Sequence, residues 1–116
     1  MTMQRACALA ELVDDKPIPV VVDGVEVAMV KAEGQVYAIR DECSHAAIAL
    51  SEGEVDGTTL ECWLHGSRFD LRTGKPTGLP ATEPVATFPV EVRTNSEGSA
   101  DIYVDITTTL NGVTPA

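Results

Sequence analysis

The sequence predicts an all-β protein, an antiparallel sandwich or barrel, and three observations carry that reading. Short runs rich in β-branched residues recur at regular spacing. Dipeptides ending in glycine separate several of them, as hairpin turns require. Helical periodicity is nearly absent: the one candidate, "ALAELVDD", is long enough for about a single turn.

The elements follow in order. "IPVVV" meets "VEVAMV" through Asp23-Gly24, a pair suited to a type I′ turn because both central residues take positive φ there. "VEVAMVK" then meets "QVYAIR" through Glu33-Gly34. "TTLEC" follows Asp56-Gly57, "ATFPVEVR" reads as a further strand, and "SADIYVDI" follows the turn "TNSEG". The closing "TTTLNGVTPA" is small and polar, so a frayed tail is expected. Between Cys43 and Pro84 the texture changes to Gly, Pro and turn residues. One domain over 1–116 is expected, with a β base from 1–42 and 85–116 and a loop subdomain over 43–84.

A chain of 116 residues supports one core. No apolar run approaches the ~20 residues needed to span a bilayer. The N-terminus lacks the basic and apolar regions of a signal peptide, so a cytoplasmic location is expected. A net charge of −10 disfavours nucleic acid and anionic membranes as partners.

Chemistry concentrates in "ECSHAAIALSEGEVDGTTLECWLHGSRFD", which holds two of the three cysteines and both histidines. They fall as Cys43-Ser-His45, sixteen residues, then Cys62-Trp-Leu-His65. An odd number of cysteines in a reducing compartment argues against a disulfide framework and for metal binding. Thiolate and imidazole together suit Zn²⁺ or an iron–sulfur centre. A zinc finger usually groups its cysteines apart from its histidines, whereas here each loop supplies one sulfur and one nitrogen. Facing loops of this kind can place both sulfurs on one metal and both nitrogens on a second, the division a Rieske [2Fe–2S] centre requires. Cys7 lies far from both loops and reads as a small core residue.

The segment from Cys43 to Val92 resembles the Rieske-type ferredoxins of bacterial aromatic-ring dioxygenase systems, and the related small Rieske ferredoxins of actinobacteria. The likeness spans roughly residues 3–105, and its C-x-H-x₁₆-C-x-x-H core is highly specific. It implies a Rieske fold with one [2Fe–2S] cluster per chain. Cys43 and Cys62 would hold the inner iron, and His45 and His65 the outer one, through Nδ1 by family precedent. Gly66 suits a backbone that approaches the cluster closely, and Ser67 matches a serine that donates to cluster sulfur. Pro80, in "TGLPATEP", matches the stiff third loop that shields the cluster. Gly53, Gly57 and Gly74 read as turn residues. Trp63 and Leu64 fit either a docking face or loop packing.

High-potential relatives clip their loops with a disulfide, but Ile48 and Leu64 stand at those positions. Phe69 stands where such relatives carry a tyrosine hydroxyl. Fewer donors stabilise the added electron less, so the lower part of the Rieske range, roughly −150 to +300 mV, is expected. The function implied is a one-electron carrier, not an enzyme by itself. It would run, as a monomer, from a flavin reductase using NAD(P)H to a terminal non-haem iron oxygenase. The alternatives are a Rieske ferredoxin serving iron–sulfur cluster assembly and a structural zinc protein.

Overall fold

A computed structural model of the chain describes residues 3–42, 49–62, 67–77 and 83–113. The strands are β1 (Gln4–Ala8), β2 (Ile18–Val22), β3 (Val25–Ala32), β4 (Gln35–Arg40), β5 (Val55–Asp56), β6 (Thr59–Glu61), β7 (Arg68–Asp70), β8 (Thr87–Phe88), β9 (Val90–Thr94) and β10 (Ala100–Val104). They form three antiparallel sheets, ordered β1-β10-β9, β2-β3-β4-β8 and β5-β6-β7. The all-β class is as expected.

Both predicted hairpins form. Val22 pairs with Val25 and Ala32 with Gln35. The turn residues Asp23 (φ 48°), Gly24 (83°), Glu33 (50°) and Gly34 (79°) all take the left-handed conformation that type I′ geometry demands.

Strand β3 organises the interior. Successive side chains of a strand point to opposite faces, and both faces of β3 are covered. Val27 and Met29 join Cys7, Phe88, Ile102 and Val104 in one core. Ala28, Val30 and Ala32 join Leu50, Leu60, Cys62, Phe69 and Leu71 in another. The four-stranded sheet thus has a core on each side, one shared with β1 and β10, the other with β6, β7 and the segment returning to Leu50. Burying a leucine or phenylalanine fully contributes about 1.5–3 kcal/mol, and Leu50, Leu60 and Phe69 are wholly buried.

The structure differs from the sequence expectation in four places. "QRACA" carries no strand signal, yet it forms β1 because β10 offers it an edge, with a register shift between Arg5 and Cys7. "SRFD" likewise gave no signal and forms β7 on the edge that β6 presents. "ATFPVEVR" is two strands: Pro89 has no N–H to continue a ladder, and the chain leaves one sheet as β8 and enters the other as β9. The tail is not frayed over 107–113. Leu110 N–H donates to the Thr87 carbonyl (2.8 Å), and Asn111 bonds to Thr73 and to the stretch from Val85 to Thr87. The helical candidate is the single turn expected, a 3₁₀ turn over Leu9–Glu11, where the Glu11 carboxylate accepts from Ala8 N–H at 2.6 Å.

Candidate metal centre

Of the four expected ligands, Cys62 lies among the described residues; Cys43, His45 and His65 lie outside them, as do Gly66, Pro80, Trp63, Leu64 and Ile48. The stems that carry the two ligand loops are described, and they show what the sequence builds around them.

Cys62 follows β6 and is wholly buried. Its N–H donates to the Ser67 carbonyl at 2.6 Å, so the described residues on either side of 63–66 are joined to each other. The β6–β7 ladder continues below, with Glu61 opposite Arg68 and Leu60 opposite Phe69. Arg68 and Glu61 also pair at 2.7 Å. Ser67 is buried beside Cys62. Phe69, the residue without a hydroxyl, is wholly buried in the core that contains Cys62.

The other loop is closed by a side chain. Asp41, four per cent exposed, follows β4. Its carboxylate accepts from Ser51 N–H and from Ser51 Oγ, both at 2.7 Å. Its own N–H donates to the Glu26 carbonyl (3.0 Å), which fixes the stem to β3. The described residues on either side of 43–48 are therefore joined by one clamp. Asp41 and Ser51 escaped the sequence reading because ten residues separate them and nothing local marks the pair.

The two stems touch. Leu50 and Cys62 belong to one buried cluster. Glu61 N–H donates to the Glu54 carbonyl at 2.8 Å. A Cβ on Gly53 would lie 1.7 Å from the Glu61 carbonyl oxygen, so these backbones meet where only glycine fits. Gly53 has an ordinary negative φ of −87°; close approach, rather than the turn expected, explains it. Gly57 (φ 61°) and Gly74 (φ 74°) do occupy left-handed positions.

Cys7 sits in the opposite core. Burial first, and then the Glu11 carboxylate, push its thiol above the ordinary range, against a smaller opposing effect of Arg5. A thiol held protonated in apolar surroundings is a packing group.

A buried, disulfide-free cysteine at the neck of one loop, with the other loop's stem packed against it, fits a sulfur donor to a metal group seated between the loops. The family follows: the model of the Rieske [2Fe-2S] domain matches residues 2–89, and the chain belongs to that family. Within it, the chain stands with the ferredoxin components of aromatic-ring dioxygenase systems, electron-transfer subunits and not oxygenases. It is 41% identical over 102 residues to the 3-phenylpropionate/cinnamic acid dioxygenase ferredoxin subunit of Shigella boydii, covering 87% of this chain and 91% of that one. It is 37% identical over 88 residues to the ferredoxin component of the naphthalene 1,2-dioxygenase system of Pseudomonas putida, covering 76% and 85%. A solved complex of reduced oxygenase and oxidised ferredoxin in carbazole 1,9a-dioxygenase contains a similar chain, with a TM-score of 0.77 and 35% identity over 88% of this chain and 91% of that one.

Proposed function

We propose that this protein is a one-electron carrier that receives an electron from a flavin reductase using NAD(P)H and delivers it to a terminal non-haem iron oxygenase. The observation that carries the reading is Cys62, wholly buried at the base of one ligand loop and packed with the stem of the other. The family's cofactor is a [2Fe–2S] cluster, which takes up and releases one electron when bound.

In this reading Cys43 and Cys62 would hold one iron of the cluster through their thiolates, and His45 and His65 would hold the other through their imidazoles. Two thiolates and two neutral imidazoles leave the oxidised centre with no net charge, and one electron makes it −1. Four thiolates would start it at −2, so the histidines make reduction easier. The Cys62–Ser67 hydrogen bond and the Asp41–Ser51 pair join the described residues on either side of the two ligand loops. Gly66, Ser67 and Pro80 complete the surroundings. With neither loop disulfide nor tyrosine hydroxyl, the potential falls in the lower part of the Rieske range.

The same reading divides the chain into a base (1–42 and 85–116) and a cluster-binding part (43–84). Three lines support that division: β5, β6 and β7 form a sheet of their own, the other seven strands make two sheets, and the base core is distinct. No helix among the described residues is long and apolar enough to cross a membrane, and we place the protein in the cytoplasm as a monomer.

The test is reconstitution. With a flavin reductase, NADH and a dioxygenase of the relatives' type, the purified protein should support substrate turnover, and its omission should stop it. A protein that the reductase cannot reduce would sink the proposal. One that is reduced but supports no oxygenase would favour a role in cluster assembly.

A further inference from the structure

Strand β9 ends its sheet: β10 pairs with it on one side, and among the described residues no strand pairs with it on the other. The bonds at its two ends fix which backbone groups face outward. Asp105 N–H donates to the Pro89 carbonyl (3.2 Å), and Asn95 N–H to the Ser99 carbonyl (2.7 Å). Hydrogen-bonded and non-hydrogen-bonded pairs alternate along an antiparallel ladder. Pro89, Glu91, Arg93 and Asn95 therefore turn their backbone groups toward β10, while Val90, Val92 and Thr94 turn theirs to the open edge. Glu91 to Thr94 are all exposed, Val92 by 49%.

This edge is symmetric about Val92. The outward residues are evenly spaced around it, and its neighbours Glu91 and Arg93 share one face and are opposite in sign. Within one chain they pair at 2.8 Å, and the Arg93 guanidinium lies 4.4 Å from the centre of the Tyr103 ring. Charge guards a strand edge when a second copy meets the same sign there. Here a second copy, turned about Val92, meets the opposite sign.

We propose that β9 is a self-pairing edge, at which two copies of this chain join antiparallel about a two-fold axis through Val92. In that register Val92 exchanges backbone hydrogen bonds with the partner's Val92, and Val90 does so with the partner's Thr94. Glu91 stands opposite the partner's Arg93 in a non-hydrogen-bonded pair, where side chains approach most closely. Moving the axis one residue either way sets Glu91 against Glu91 or Arg93 against Arg93, and like charges directly opposite repel. The charges thus choose the register. The contact is isologous, so it closes at two copies. Each copy carries a net charge of −10, which keeps the pairing weak and leaves the dilute protein monomeric. Strand β9 is in a different sheet from β6, which leads to Cys62, so the pairing does not rest on the Rieske reading.

The test is sedimentation velocity of the holoprotein from about 10 μM to about 1 mM, at about 0.15 M salt, where a Debye length of about 8 Å screens the overall repulsion but not touching charges. The wild type should pass from monomer toward dimer across that range. Val92→Pro should lose the dimer, because proline there removes an N–H that faces the open edge and breaks no ladder bond. Glu91→Arg and Arg93→Glu should each stay monomeric alone, and an equimolar mixture of the two should dimerise, since every facing pair is then opposite in sign. These charge variants decide the matter where Val92→Pro does not fold. A wild type that stays monomeric throughout would overturn the proposal and leave the edge to another protein's strand or to none. Dimers that survive Val92→Pro or either single charge variant, or a mixture that stays monomeric, would overturn it as well.

Discussion

At Gly53 a hydrogen is all that separates two backbones, and that contact joins the stems of the ligand loops. A methyl group there would meet the Glu61 carbonyl, which cannot swing aside as a long side chain would. Gly53→Ala should therefore destabilise by about 1–3 kcal/mol, the usual cost of overpacking, read from denaturant midpoints. An unchanged midpoint would show that the stems are not locked together. Asp70 gives a pH signature. Its side-chain hydrogen bond from Arg72 (3.1 Å), helped by Arg72 N–H and opposed by partial burial, holds its carboxyl below the usual range. A depressed folded-state value means the contribution is present above the unfolded carboxylate value, near 3.9, and is lost as pH falls through the folded value. Asp70→Asn should modestly lower stability at neutral pH and flatten the fall below about pH 4, so that the two profiles converge in acid, as measured by thermal midpoints against pH. The ligand pattern was legible because C-x-H and C-x-x-H are local spacings. Asp41, Ser51 and Asn111 were not, because their partners are distant in sequence and set by the fold.

The clamp between the end of β4 and the 3₁₀ turn Leu50–Glu52 acts at the scale of elements. Asp41→Ala removes two acceptors from a buried site and leaves Ser51 N–H and Oγ unmet there. The cost should be about 1–3 kcal/mol, and holoprotein yield should fall further than stability alone explains, since the ligand loop loses its closure. Iron per protein set against the thermal midpoint checks this; a full iron load at a lowered midpoint would confine Asp41 to a structural role. The hairpins were readable because Asp23-Gly24 and Glu33-Gly34 state their turn type locally. Strand β1 was not, since "QRACA" extends only because β10 offers it an edge. Pro89 did carry a signal: a proline inside an apparent strand marks its end, and here it also carries the chain between sheets. The tail looked frayed on composition, yet Leu110 and Asn111 anchor it through bonds that no local pattern announces.

Over the whole molecule, eighteen acidic side chains against eight basic ones give a surface that attracts basic partners. Reductase-to-ferredoxin electron transfer should slow as ionic strength rises from about 0.05 to 0.5 M, where the Debye length shrinks toward a few ångströms. A salt-independent second-order rate constant, from stopped-flow reduction, would assign docking to apolar contact instead. Fold class and family were both within reach of the sequence, because alternation, turns and ligand spacing agree with one another. How the loop stems are held was not, because it depends on Gly53 meeting Glu61 and on Asp41 reaching Ser51. The most direct measurement of the central claim is pulsed EPR of the dithionite-reduced protein carrying ¹⁵N-histidine. Ligation by His45 and His65 with Cys43 and Cys62 predicts a low average g and hyperfine coupling to two histidine nitrogens. A silent sample holding zinc, or a reduced cluster with no histidine nitrogen coupling, would contradict it.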